Sequence, residues 1–168
     1  MIDIETNGVR LAVDVRGPDD GMPVVLLHGW PDRASLWDAQ SAALSAAGFR
    51  TIAPDLRGFG DSDKPVGVEQ YNILTLAGDV LGLLDHFGIQ KAHVVGHDWG
   101  AALAWAIGGF AGDRVEKLVA LSVGHPSLFA TAGLAQRQLS WYMLLFQFEG
   151  IAEQWLSNDD FANLRQFG

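Results

Sequence analysis

The chain has 168 residues, of which 49% are hydrophobic and 18% charged, and its formal net charge at pH 7 is −9. This composition is typical of a globular domain with a sizeable core and excludes a disordered chain. The acidic balance and the lack of a Lys/Arg cluster argue against nucleic acid and anionic membranes as partners, and the absence of cysteine excludes disulfides and thiol-ligated metals.

The first fifty residues predict three strands and a helix. Alternating polar and apolar residues over Ile2–Val15 predict an antiparallel strand pair that turns at Asn7-Gly8. The continuous apolar run Val24–Leu27 is typical of a strand buried on both faces. Residues 35–47 predict a helix that is capped by its first residue, a serine, and stops at Gly48.

From residue 51 to residue 123, strand-like apolar runs alternate with segments of helical periodicity. The predicted elements are a strand at 51–53 ended by Pro54, a loop at 55–67, a helix at 72–87, a strand at 92–95, a helix to about Ile107 and a strand at 115–123. Strands that alternate with helices imply a mostly parallel sheet with helices on both faces. The predicted fold class is therefore α/β.

The sequence changes character after His125. Residues 134–155 predict a mostly helical stretch that is dense in Trp, Tyr, Met and Phe. We therefore predict a core at 1–125 and the beginning of a helical cap at 126–168. Because no further strand pattern follows, the strand at 115–123 is expected to be an apolar edge of the sheet.

The segment Gly96-His97-Asp98-Trp99-Gly100 lies between a predicted strand and a predicted helix. It has the Gly-x-nucleophile-x-Gly layout of a nucleophile elbow, with aspartate at the central position. The sharp turn forces the central residue into a strained backbone conformation, and the flanking glycines permit close approach of neighbouring backbone. A carboxylate is already a nucleophile at neutral pH, so Asp98 suits displacement at an sp³ carbon through an ester. The alternative is a tight turn that carries a surface aspartate.

The loop His28-Gly29-Trp30-Pro31 directly follows the strand at 24–27. In sheets with a nucleophile elbow, this loop supplies one N–H group of the oxyanion hole, and the residue after the nucleophile supplies the other. The predicted donors are therefore the backbone N–H groups of Trp30 and Trp99. Pro31 is a candidate for a cis peptide bond. The alternative is an ordinary exit from a strand.

The loop at 55–62 carries several charges, which we expect to form an internal ion-pair network that orders it. Asp55 and Arg57 are therefore assigned a structural role. His97 is expected to point away from the nucleophile, since side chains alternate along an extended segment. The spacing of the five histidines predicts no metal site.

Two later residues are further candidates. His125 follows the last predicted strand and is expected to line a pocket, with a general-base role as the minor alternative. Tyr142 lies in an aromatic stripe at helical spacing, which on composition alone favours core packing over catalysis.

Four segments together resemble the epoxide hydrolase branch of the α/β-hydrolase superfamily, over essentially the whole chain. They are His28-Gly29-Trp30-Pro31, Asp55-Leu56-Arg57-Gly58-Phe59-Gly60, Gly96-His97-Asp98-Trp99-Gly100 and Trp141-Tyr142-Met143-Leu144-Leu145-Phe146-Gln147. The elbow with Asp and Trp is shared with haloalkane dehalogenases. The His-Gly-x-Pro loop and the tyrosine ahead of Phe-Gln favour epoxide hydrolases, because dehalogenases generally carry asparagine where this chain has Trp30.

The resemblance implies roles for individual residues. Asp98 would open the epoxide by attack on carbon, and Tyr142 would be one of two cap tyrosines that donate hydrogen bonds to the ring oxygen. The N–H groups of Trp30 and Trp99 would stabilise the oxyanion during ester hydrolysis. The implied pocket residues are His28, Pro31, His125 and Trp141.

The sequence departs from the family pattern in its second half. The family order is nucleophile, cap, acid and late histidine, and the last two, with the second cap tyrosine, have no counterpart in these 168 residues. We therefore expect an N-terminal part of a longer enzyme that is inactive in turnover on its own, because it lacks the pair that activates water. The alternatives are haloalkane dehalogenation by the same aspartate, or a non-catalytic binding module.

The expected partners are a small apolar epoxide and water, without a cofactor, a nucleic acid or a membrane. No segment predicts a signal peptide or a membrane span, which makes the cytoplasm the expected location. The sequence does not indicate an oligomeric state.

Overall fold

The computed structural model describes residues 1–167, and the side chains of all of these except 129, 130 and 167. Six strands form one sheet in the order β1-β2-β4-β3-β5-β6. Their bounds are β1 (Ile2–Thr6), β2 (Val9–Arg16), β3 (Met22–Leu27), β4 (Phe49–Pro54), β5 (Ala92–His97) and β6 (Val115–Leu121).

The sheet combines a parallel part with an antiparallel pair. Strands β4, β3, β5 and β6 run parallel to one another, whereas β2 is antiparallel to both β1 and β4. The β1–β2 turn places Asn7 at φ 47° and Gly8 at φ 77°, the two positive values that a two-residue hairpin of this kind requires. The predicted opening hairpin and the mostly parallel α/β sheet are both confirmed.

Apolar side chains cover both faces of the sheet. Val25 and Leu27 of β3 belong to the larger buried cluster, whereas Val24 and Leu26 belong to a smaller cluster with Trp37. The continuous apolar run in β3 therefore reflects a strand that is buried on both sides, as predicted. The larger cluster also contains the buried faces of two helices, α2 (Ile73–His86) and α3 (Trp99–Phe110).

Two predicted helix boundaries are wrong. The helix predicted from Ser35 begins as a 3-10 turn at Ala34–Trp37, continued by α1 (Asp38–Ala46). Ser35 therefore lies inside the turn and is not its cap. The N–H of Ala34 instead donates to the carboxylate of Asp55, from the loop after β4. Helix α3 continues beyond Ile107 to Phe110. A Cβ on Gly108 would lie 2.9 Å from the Leu118 side chain, so glycine lets this part of the helix lie close to β6.

β6 lies at the edge of the sheet described by residues 1–167, as the sequence predicted. Val119 is 45% exposed and Leu121 is 43% exposed. The strand ends at Leu121, two residues earlier than expected, and Ser122 follows with φ 69°.

Residues 1–126 form one compact unit, and the residues from Ser127 onward form a second. Helix α4 (Pro126–Ala130) spans the division, and α5 (Leu134–Leu139), α6 (Trp141–Leu145) and α7 (Ile151–Phe167) follow. The backbone within α7 is not helical at residues 158–161. The expectation of a mostly helical segment at 134–155 is confirmed.

No helix in the described part of the chain is both long and apolar enough to cross a bilayer. Over the same residues, no group of three or more His, Asp or Glu side chains is arranged to hold a metal ion.

Candidate active site

The elbow at Asp98 has the strained backbone that its sequence predicts. Asp98 lies between the end of β5 and the first residue of α3, with φ 54° and ψ −122°. A positive φ is uncommon for a residue with a side chain and costs free energy. The N–H of Asp98 donates to the carbonyl of Leu121 at 3.2 Å, which ties the elbow to the end of β6. The carboxylate makes no capping bond to its own helix.

Three glycines allow this geometry. A Cβ on Gly96 would overlap the carbonyl of Gly100, and a Cβ on Gly100 would overlap the carbonyl of Leu27. A Cβ on Gly29 would overlap the Asp98 side chain itself. The elbow therefore packs against the end of β3 at a distance that only glycine permits.

The loop after β3 places a backbone donor on the candidate nucleophile. The N–H of Trp30 donates to Oδ1 of Asp98 at 2.9 Å. The Trp30–Pro31 peptide bond is cis. Trp99 is the first residue of α3, so its N–H has no acceptor within the helix, and its side chain is 56% exposed. The assignment of both N–H groups to an oxyanion hole stays a prediction.

His28 lies beneath this loop and is completely buried. The N–H of Leu56 donates to its Nε2 at 2.9 Å, and its Nδ1 lies 2.9 Å from the carbonyl of Gly29. These partners fit a neutral ring with the proton on Nδ1, and burial lowers the pKa of His28 below its ordinary value. The ring also contacts Phe59 edge-on. This geometry favours a structural role in which the His28 ring links the Trp30 loop to the loop after β4. Its role as a residue of the substrate pocket stays a prediction.

Arg57 does not form the ion pair within its own loop that the sequence suggested. Its guanidinium instead makes two bonds to Asp79 of α2, from Nε at 2.8 Å and from Nη2 at 2.7 Å, and both side chains are buried. The hydrogen bond to Asp79 raises the pKa of Arg57 above its usual value. This pairing has a physical cause, because a buried guanidinium needs a buried carboxylate beside it.

Asp79 was missed by the sequence analysis. The signal for it was a carboxylate on the apolar face of a predicted helix, between Ala77 and Val80, which are both buried. A charge in that position requires a partner of opposite sign.

The two histidines next to the site differ in surroundings. His97 occupies the last position of β5 and is half-buried, and its Nδ1 has no hydrogen-bond partner among residues 1–167. The ring of His125 packs edge-on against Trp105 at 5.0 Å, and Trp105 Nε1 donates to the carbonyl of Val123 at 3.1 Å. Trp105 thus fixes the segment after β6.

The remaining predicted residues belong to the second unit. Tyr142 and Trp141 lie on α6. The Tyr142 ring packs against Phe146 at 5.7 Å, and Trp141 packs against Trp155 at 5.8 Å. The roles predicted for Tyr142 as an acid and for Trp141, Pro31 and His125 as pocket residues stay predictions.

Comparisons with known proteins show which family the chain is similar to. The family model of the alpha/beta hydrolase fold matches residues 22–156. Epoxide hydrolase A of Mycobacterium tuberculosis is 41% identical over 169 residues, which cover 97% of this chain and 52% of the relative. The AB hydrolase superfamily protein YfhM of Bacillus subtilis is 41% identical over 164 residues, covering 96% of this chain and 57% of that protein.

A solved structure shows the same likeness. A variant of an epoxide hydrolase from Bacillus megaterium, in complex with its diol product, superposes with a TM-score of 0.91 at 32% identity, over 99% of this chain and 58% of that one. The chain thus spans about half the length of the curated relatives that it matches. Because the family match extends over most of its residues, the chain belongs to the α/β-hydrolase fold family.

Proposed function

We propose that Asp98 is the nucleophile of an epoxide hydrolase and that the whole protein converts epoxides to vicinal diols. The observation that carries this proposal is the Asp98 carboxylate, held at a positive φ with its Oδ1 accepting the N–H of Trp30 at 2.9 Å. The names of the relatives support the substrate class.

In the first step, Oδ2 of Asp98 forms a bond to one epoxide carbon while the bond from that carbon to the ring oxygen breaks. The electron pair moves to the ring oxygen, which takes a proton from a tyrosine, and Tyr142 is our candidate for one of two such donors. The product is an alkyl ester of Asp98 that carries a free hydroxyl on the neighbouring carbon.

In the second step, water adds to Cγ of the ester and negative charge develops on Oδ1. The N–H of Trp30 already donates to that oxygen, and the N–H of Trp99 is the second proposed donor. Collapse of the intermediate breaks the bond from Cγ to Oδ2, and the released alkoxide takes one of the two protons of the added water, which completes the diol and restores the carboxylate. The other water proton, taken up by a base, returns to the tyrosine that gave its proton in the first step. A base must take the proton from water, and the acid and late histidine that the family resemblance assigns to this task have no counterpart in residues 1–168. We therefore propose that this chain alone stops at the ester.

The proposal is tested by mass spectrometry of the chain after incubation with styrene oxide. We expect one adduct per chain, located on the peptide that contains Asp98. Asp98→Asn should give no adduct, whereas the matched control Asp113→Asn, at an exposed carboxylate, should react like the wild type. Adducts that form equally on Asp98→Asn, or that spread over surface carboxylates, would contradict the assignment.

Two other outcomes are informative. Diol formation over many turnovers without an adduct would overturn the proposal that the chain stops at the ester. Chloride release from chlorobutane, together with no reaction of styrene oxide, would favour haloalkane dehalogenation by the same Asp98.

A further inference from the structure

We propose that Asp55 is a positioning residue that holds the Trp30 N–H against the candidate nucleophile. The inference rests on the function proposed above, because it concerns how Asp98 is oriented for attack. Asp55 touches neither Asp98 nor Trp30 in any described hydrogen bond, and its effect passes through the loop between β3 and the 3-10 turn at Ala34.

The loop that carries Trp30 is fastened at both of its ends to the loop after β4. At its start, His28 accepts the N–H of Leu56 at 2.9 Å. At its end, the N–H of Ala34 donates to Oδ1 of Asp55 at 2.8 Å. Trp30 lies between these two attachments, so both determine where its N–H points.

The Asp55 carboxylate is itself rigidly held. It is 1% exposed, and its Oδ2 accepts the N–H of Asp61 at 2.8 Å. The backbone carbonyl of Asp55 accepts a hydrogen bond from the hydroxyl of Ser62 at 2.6 Å. Gly60 leaves room for the carboxylate, since a Cβ there would overlap Oδ2. A carboxylate with both oxygens bonded to backbone N–H groups cannot rotate without breaking one of these bonds.

The bond from the Ala34 N–H to Asp55 is not needed merely to cap the start of a helix. A helix N-terminus is ordinarily capped by a local Ser, Thr, Asp or Asn, yet here the acceptor comes from a loop that follows a different strand. What the longer-range bond adds is a fixed distance between the two loops. A fixed distance between the loops keeps the Trp30 N–H within hydrogen-bond reach of Asp98. The two loops are so close there that no side chain would fit at Gly29.

Two variants test the proposal. Asp55→Asn keeps the shape of the side chain but turns one acceptor oxygen into an NH₂ donor, so one of the two N–H groups loses its partner. Ala34→Pro removes the Ala34 N–H and keeps the carboxylate, and the ring Cδ that replaces the hydrogen also pushes against Oδ1 of Asp55. The extended backbone of Arg33 is compatible with a following proline, and the first position of a helical turn tolerates it. Asn72→Ala, which removes the side-chain cap of α2, is the matched control for a general loss of stability.

The first readout is amide hydrogen exchange of Trp30 relative to Leu26 and Ile52 in the same sample of the full chain. In Asp55→Asn and Ala34→Pro, we expect the protection of Trp30 to fall at least about tenfold relative to those core amides. Asn72→Ala should lower all protections in parallel and leave the ratio unchanged. A Trp30 ratio that stays at the wild-type value in the variants would overturn the proposal.

The second readout is the rate at which styrene oxide labels Asp98. A displacement of about 1 Å in a reacting group can cost up to about a hundredfold in rate, so we expect labelling to slow by about tenfold to a hundredfold in both variants. Labelling at the wild-type rate would overturn the proposal even if the exchange ratio changes. If Asp55→Asn does not fold, Ala34→Pro decides. If the wild-type chain is not labelled at all, the proposed function fails, and the exchange ratio by itself still decides whether Asp55 positions Trp30.

Discussion

The two units hold their candidate site residues in different ways. In the core unit, Asp98 and the Trp30 N–H lie on backbone turns that are fixed by glycine contacts and buried acceptors. In the second unit, Tyr142 lies on a five-residue helix that has no buried residue and no side-chain cap. A helix of that length is not stable by itself, so packing such as the Trp141–Trp155 contact must hold it.

The difference shows which parts of the proposed chemistry are determined locally. The described contacts that hold the candidate nucleophile Asp98 come from the core unit, and mutations there should act through the backbone. The contribution proposed for Tyr142 rests on one hydroxyl group, so the loss of that hydroxyl should have a smaller effect.

The largest effect is expected for Asp79→Asn, which should lower the free energy of unfolding of the core unit. The Arg57 side chain would remain buried without a counter-charge, and removal of one partner of a buried ion pair typically costs about 3–5 kcal/mol of unfolding free energy. Urea unfolding measures this loss. The matched control is Asp85→Asn, whose carboxylate pairs with Arg114 but is mostly exposed, and it should cost less than about 1 kcal/mol. Equal losses in the two variants would contradict the prediction.

Gly29→Ala should produce the next largest effect, this time on chemistry. The new Cβ would overlap the Asp98 side chain, so the Trp30 loop or the carboxylate must move, and we expect labelling by styrene oxide to slow by about a hundredfold. Gly109→Ala is the control, because its Cβ meets nothing within 4 Å and alanine favours the helix. If Gly29→Ala reacts as fast as Gly109→Ala, the close approach is not needed for reaction.

Much of the core unit could be predicted from local sequence. The Asn7-Gly8 turn and the apolar run of β3 are short-range patterns, and the elbow is indicated by two glycines between a strand and a helix. Each of these features depends on residues that are close together in the chain, so their physical causes can be recognised without a structure.

The contacts between loops could not be predicted in this way. Asp55 caps the turn at Ala34, and Arg57 pairs with Asp79, over sequence separations of 21 and 22 residues. No local pattern specifies such a partner, which is why Ser35 was wrongly expected to start the helix. The bond from Ala34 to Asp55 lies at the end of the Trp30 loop, so the elbow motif by itself does not predict how that loop is held.

A smaller effect is expected for Tyr142→Phe, which sharpens the comparison between the units. A sole general acid contributes about 10²–10⁴-fold, so the loss of one of two proposed donors should slow labelling of Asp98 by about tenfold. The chain has only two tyrosines, which makes Tyr71→Phe a natural control. The Tyr71 hydroxyl donates to the carbonyl of Pro65, and its removal should leave the labelling rate unchanged. If labelling slows in Tyr71→Phe but keeps the wild-type rate in Tyr142→Phe, the proposed role of Tyr142 as a proton donor is excluded.

The smallest effect concerns the pH dependence of stability in the core unit. Burial lowers the pKa of His28, so below the ordinary histidine value of about 6.5 the unfolded chain binds a proton that the folded chain resists. His28 should therefore leave stability constant above that pH and reduce it as the pH falls, by at most about 1.4 kcal/mol per pH unit. In His28→Gln, the glutamine oxygen can accept the Leu56 N–H without titrating. Because the two proteins are otherwise identical, the difference in unfolding free energy between wild type and His28→Gln should be flat at neutral pH and shrink below it. If the unfolding free energies of the two proteins stay a constant distance apart at every pH, burial does not lower the pKa of His28 and the prediction is wrong.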